Sequence, residues 1–159
     1  MSSLVVDTSS QGVFAQAQDL VNEGLNALSH TRQSYAEKLS DRLFFVTGPS
    51  GIGKGTHLGL LQRMYEISAP AIGTSDLLRK TSEATRIDNT AGLSPDGLMV
   101  NCLMAELIDP KYAQGALVDG FPRTPVQAAV AVELCKMVVG EERLSEMAGR
   151  NNLTNVGLL

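Results

Sequence analysis

The apolar positions of this chain change rhythm early. From Gln11 to about Lys38, Val13, Phe14, Ala17, Leu20, Val21, Leu25 and Leu28 recur at helical spacing. Gln18, Asp19, Asn22 and Glu23 fall on another face, so the segment predicts an amphipathic helix. Gly24 weakens its middle by up to about 1 kcal/mol. Such a stripe fits a helix packed on its own domain or one that docks a partner chain. At Leu43 the rhythm breaks into a short run, Leu43 to Val46, ending at a glycine-rich turn. That run is too short for a helix and fits a strand buried on both faces. "KGTHLGLLQRMYE" then predicts a helix with Leu58, Leu61 and Met64 on one face.

The alternation continues. "APAIGTSDLLRK" gives a short apolar stretch and a helix start, with Thr74 or Ser75 as cap and Asp76 in the first turn. In "GLSPDGLMVNCLMAELID", Ser94 is a good N-cap and Pro95 suits the first helical position. Leu98, Cys102 and Leu107, with Met99 and Val100 alongside, supply its apolar face. "GALVDGFPRT" holds a third buried strand, Ala116 to Val118, ending in an acid and a loop. "TPVQAAVAVELCKMVV" fits one helix or a helix running into a strand, and "AGRNNLTNVGLL" predicts no element. Short buried strands alternating with helices predict an α/β fold with a parallel sheet and flanking helices.

Composition narrows the class. The chain has 159 residues, the size of one domain. A net charge of −4 argues against a nucleic-acid binder. No apolar run approaches the roughly 18 residues a membrane span needs. The opening "MSSLVVDTSSQ" lacks the basic start and apolar core of a signal peptide. Cys102 and Cys135 lack metal-type spacing and read as buried reduced thiols. A reducing compartment follows, the cytoplasm or an organellar matrix. His30 and His57 have no Cys or His neighbour at ligand spacing.

The chemistry lies in "VTGPSGIGKGT", Val46 to Thr56. Gly48, Gly51, Gly53 and Gly55 surround Lys54 between a strand and a helix. Glycines let backbone N–H groups curl inward, and the helix adds its positive N-terminal end. An anionic triphosphate suits such a cradle, with Lys54 reaching its terminal phosphates. The general pattern places Ser or Thr directly after the lysine to meet Mg²⁺. Here Gly55 intervenes and Thr56 follows.

The "KGT" variant resembles the nucleoside monophosphate kinases, adenylate kinase in particular. "TSDLLR", Thr74 to Arg79, resembles the family's "TGDLLR". "LVDGFPRT", Leu117 to Thr124, is similar to its signature almost letter for letter, with Gln127 following. The resemblance covers about Leu43 to Gln127 and implies a P-loop NTPase-like domain over residues 41–159. Residues 1–40 would be an N-terminal helical extension, and AMP-binding helices would span about 74–110. Gly48, Gly51, Gly53, Lys54, Gly55 and Thr56 would hold ATP. Thr74, Arg79, Arg123 and Gln127 would form the AMP pocket, with the backbone near Leu93 and Ser94. Lys54, Asp119 and Arg123 would be catalytic, and Thr56 and Asp119 would hold Mg²⁺, the acid through water. Arginine forks converging on a phosphate agree with that reading. "GPSG" also resembles guanylate kinase and "DGFPR" UMP/CMP kinase, but Thr74 and Thr124 favour AMP over another nucleoside monophosphate.

The chain also departs from the resemblance. Ser50, His57 and Ser75 replace the family's usual proline, glutamine and glycine. The family's mobile lid and a further core strand and helix have no counterpart before Leu159. Arg150 would be the first lid-proximal arginine. One well-placed arginine is worth roughly 10³ to 10⁵ in phosphoryl-transfer rate. Two expectations follow: an ATP- and Mg²⁺-dependent phosphotransferase, or a truncated, catalytically impaired subunit whose incomplete core a protein partner completes.

Overall fold

The computed structural model describes residues 10–48, 54–84 and 95–140. Their order is α1 (Ser10–Ala27), α2 (Arg32–Ala36), β1 (Leu43–Val46), α3 (Lys54–Met64), β2 (Ile72–Gly73), α4 (Thr74–Ala84), α5 (Pro95–Leu107), a 3₁₀ turn (Pro110–Tyr112), β3 (Ala116–Asp119) and α6 (Pro125–Val139). The three strands form one parallel sheet in the order β1-β3-β2. β3 is central, with Leu43 opposite Ala116, Val46 and Gly73 opposite Asp119, and Ile72 opposite Val118. All four side chains of β1 are buried, as a strand covered on both faces requires. The third strand runs one residue further than its apolar run, because Asp119 still pairs on both sides.

The long N-terminal helix of the sequence reading is two helices. α1 ends after Ala27, and Ser29 takes a left-handed φ of 57°. Thr31 then restarts the helix: its Oγ1 accepts from the Ser34 amide at 3.1 Å, while Ser34 Oγ accepts from the Thr31 amide at 3.0 Å. This reciprocal capping box gives α2 its own beginning.

α1 packs along α5 and α6. Ala17, Val21 and Leu25 join the core, whereas Phe14 is exposed. Gly24 is explained by a close approach: a Cβ there would lie 2.5 Å from Met104 Sδ on α5. Tyr35 of α2 is fully buried and donates from its hydroxyl to the Met104 carbonyl at 2.8 Å. Burial pushes the Tyr35 phenol above its ordinary range. Arg32 reaches Glu133 of α6 at 3.1 Å, and Lys136 approaches the same buried carboxylate at 3.4 Å. A buried carboxylate needs such partners, since alone its desolvation would be prohibitive.

Two helical faces differ from their patterns. On α3, Leu58 is buried and Leu61 half-buried, but Met64 is exposed. On α5 the buried face runs through Met99, Val100, Leu103, Met104 and Leu107, leaving Leu98 and Cys102 half-buried. The stretch from Pro125 to Val139 is one helix throughout, closed by Gly140 at φ 79°. Its β-branched tail is tolerated because the helix is packed against α1. Among the described residues no helix is long and apolar enough to cross a membrane.

Two measurements check this packing. Val21 is fully buried, so Val21→Asp should lower unfolding free energy by about 3 kcal/mol or more in denaturant titration. An unchanged midpoint would remove α1 from the core. Burial also pushes the Cys135 thiol from 9.0 up to about 11. Thiolate is the reactive form, so iodoacetamide at pH 8 should modify Cys135 at least ~100-fold faster after unfolding than before.

Candidate functional site

The sheet delivers its chemistry at the carboxyl ends of its strands, where parallel α/β sheets bind ligands. β1 runs into Thr47 and Gly48, β2 into α4, and β3 into Asp119 and Gly120. The Gly120 amide donates to the Val46 carbonyl at 2.8 Å, tying the exit of β3 to that of β1. Gly120 holds φ +87°, and a Cβ there would lie 2.8 Å from both Arg123 Nη2 and Thr74 Oγ1. Both the conformation and the space call for glycine.

Thr74 and Arg123 converge on this glycine. Thr74 Oγ1 lies 3.3 Å from the Asp119 carbonyl and 3.2 Å from that of Gly120, sharing one proton between them. Thr74 is therefore spent across the sheet rather than on capping α4, whose first residue it is. Arg123 Nε donates to the same Gly120 carbonyl at 2.8 Å. A guanidinium has five N–H donors, so the remainder of its fork stays available to an anion.

The start of α6 extends the cluster. Thr124 caps the helix by accepting from the Gln127 amide at 3.2 Å, with Pro125 in the first turn. Gln127 Oε1 accepts from the Arg123 amide at 2.8 Å. Gln127 Nε2 donates to Asp96 Oδ1 at 2.9 Å, and the Thr124 hydroxyl donates to that oxygen at 3.1 Å. Asp96, in the first turn of α5, is the site-proximal residue that sequence reading missed. Its only sequence signal was an acid beside Pro95, which a helix dipole alone would explain.

A cavity of about 590 Å³ opens between the two loops, lined by Thr47, Gly48, Arg123 and Thr124 among others. Its size suits a small-molecule ligand. A second cavity of about 380 Å³ lies at the other end of β1, beside Asp41, Arg42 and Tyr65, and none of the described residues of the three sequence motifs lines it.

The remaining expected residues divide. Gly55 and Thr56 are exposed in the first turn of α3, and a Cβ on Gly55 would meet nothing within 4 Å. Arg79 pairs with Asp76 one turn back at 2.8 Å, both side chains about two-thirds exposed. The structure thus gathers Thr74, Asp119, Arg123 and Gln127, and gives Arg79 an ion pair on its own helix. Gly51, Gly53, Leu93, Ser94 and Arg150 lie outside the described residues, as does the side chain of Lys54.

Gly120→Ala should cost about 1–3 kcal/mol in chemical denaturation, from the positive φ and the displaced Arg123 and Thr74 side chains. Wild-type stability in that variant would show that the turn relaxes freely.

Comparison with known proteins follows the same segments. Residues 47–147 match a family described as "AAA domain". The chain is 35% identical over 103 residues to an adenylate kinase of Leptospira biflexa, covering 60% of this chain and 54% of that protein. It is 39% identical over 101 residues to an adenylate kinase of Geobacter sulfurreducens, covering 58% and 44%. An adenylate kinase of Sorangium cellulosum is 33% identical over 99 residues, covering 58% and 45%. The chain spans about half the length of the curated relatives it matches. With the parallel sheet and the loop context agreeing with these matches, the chain belongs to the AAA domain family and is adenylate kinase-like.

Proposed function

We propose that the chain binds ATP and AMP and transfers the terminal phosphoryl group of ATP to an oxygen of the AMP phosphate, giving two ADP. The observation that carries this reading is the convergence of Thr74, Gly120 and Arg123 at the strand ends, beside a cavity shared with the start of the glycine-rich loop. In this reading the Gly48–Thr56 segment and Lys54 hold the triphosphate. Arg123 turns its guanidinium fork to the acceptor phosphate, and Arg79 leaves its exposed pair with Asp76 to join it. Breaking that pair is inexpensive, because an exposed ion pair is worth only about 0–1 kcal/mol.

Asp119 and Thr56 offer the oxygen donors that Mg²⁺ prefers. Asp119 is half-buried at the centre of the sheet, level with the last residue of β1. Bound there, the ion would neutralise charge on the phosphates. Thr74 and Gln127 would meet the base.

A second reading is a nucleotide-holding subunit of a larger assembly. It is favoured by the placement of Arg79, which pairs with Asp76 on its own helix. ADP formation from ATP and AMP with Mg²⁺ separates the two. Turnover should fall at least ~100-fold in Lys54→Ala, which removes the charge facing the terminal phosphates. ATP binding without turnover in the wild-type chain would favour the holding role.

A further inference from the structure

The amide of Gln127 sits between two neighbours of opposite character. One is the Arg123 backbone N–H, which can only donate, 2.8 Å from Oε1. The other is the Asp96 carboxylate, which when ionised can only accept, 2.9 Å from Nε2. A carboxamide is nearly symmetric in shape, and its oxygen and nitrogen exchange places by rotation of the terminal torsion. Here rotation would set an NH₂ group against an N–H and an oxygen against a carboxylate. Both contacts would become repulsive.

We infer that Asp96 is a positioning residue that locks the polarity of the Gln127 amide and so makes the site discriminate between purine edges of opposite donor and acceptor order. The inference rests on the reading that Gln127 meets the base. An amide uses one oxygen lone pair on Arg123 and one N–H on Asp96, which leaves one acceptor and one donor position. Adenine offers an amino donor beside a ring-nitrogen acceptor. Hypoxanthine has the same outline but offers a keto acceptor beside a ring N–H donor. A freely rotating amide would suit either base by turning over. A locked amide suits one of them in a given pose and opposes the other at both atoms.

Thr124 strengthens the lock. Its hydroxyl donates to the same Asp96 oxygen at 3.1 Å, while accepting the Gln127 backbone amide at 3.2 Å. Asp96 is thus held from α6 by two donors, and it joins the first turns of α5 and α6. Asp96→Asn keeps the shape but supplies a group that can itself turn over, donating or accepting. Gln127 then loses the reason to prefer one orientation.

The test compares AMP with inosine monophosphate on the full chain, by calorimetric or fluorescence titration. Wild type should prefer AMP by about 10- to 100-fold, the penalty of two mismatched polar contacts. In Asp96→Asn the preference should shrink to within about threefold, with AMP itself weakened less than about fivefold. In a Gln127→Met background, Asp96→Asn should leave the ratio unchanged, which a merely structural role for Asp96 would not predict.

One measurement needs no variant. In wild type without nucleotide, the Gln127 side-chain amide nitrogen should relax in NMR as a rigid group, with an order parameter near the ~0.85 of rigid backbone. A value below about 0.6 would overturn the lock. An unchanged AMP preference in Asp96→Asn would overturn it as well, while leaving the AMP reading intact. Failure of wild type to bind either monophosphate would overturn the AMP reading, and the base selectivity with it.

Discussion

The hydrogen bond from the Gly120 amide to the Val46 carbonyl is the constraint on which the site depends. It lies where two parallel strands stop pairing and two loops diverge. On one side the chain enters the glycine-rich turn; on the other it swings toward Arg123. Gly120 makes this possible by standing in a backbone region that side chains avoid, with neighbours too close for a Cβ. Its carbonyl then gathers Thr74 from the start of α4, just past β2, and Arg123 from its own loop. Three segments distant in sequence are thereby fixed around one short stretch of backbone.

The scaffold behind this point is held from the N-terminal side. α1 and α2 are tied to the sheet's helices by three kinds of interaction. Gly24 lets α1 approach α5 closely, Tyr35 places a buried hydroxyl on the Met104 carbonyl, and Arg32 meets the buried Glu133. The apolar contacts supply most of the driving force, since burial is worth roughly 25 cal/mol per Å². The polar contacts fix where the helices sit. A buried carboxylate or phenol tolerates few positions for its partner, whereas apolar side chains tolerate several.

Much of this was legible in the sequence. The strand Leu43–Val46 could be read because four consecutive apolar residues before a glycine-rich turn leave few alternatives. Gly120 and Arg123 were legible through the segment that contains them. Other features were hidden for physical reasons. Thr74 looked like a helix cap, because a hydroxyl before a helix normally serves its own backbone. Here the carbonyls of Asp119 at the end of β3 and of Gly120 just past it lie closer to its needs, and only the sheet order brings them there. Asp96 was hidden for the same reason: its partners, Thr124 and Gln127, lie 28 and 31 residues away. The break after Ala27 escaped because apolar spacing persists across it, while the capping box at Thr31 depends on two hydroxyls that periodicity does not count. Met64 was placed on a buried face by spacing alone, although α3 ends there and the chain turns away.

The pairing of α1 with α6 also has a consequence in time. Arg32 and its partner Glu133 are 101 residues apart. A ribosome adds about 5–20 residues per second, so α1 emerges on the order of 5–20 s before the helix that covers it. During that interval Ala17, Val21 and Leu25 have no α6 to pack against. Closing so long a loop is also entropically unfavourable until the sheet has drawn its ends together. α1 is therefore made early and docks late, and in the growing chain its apolar stripe is open to whatever meets it first.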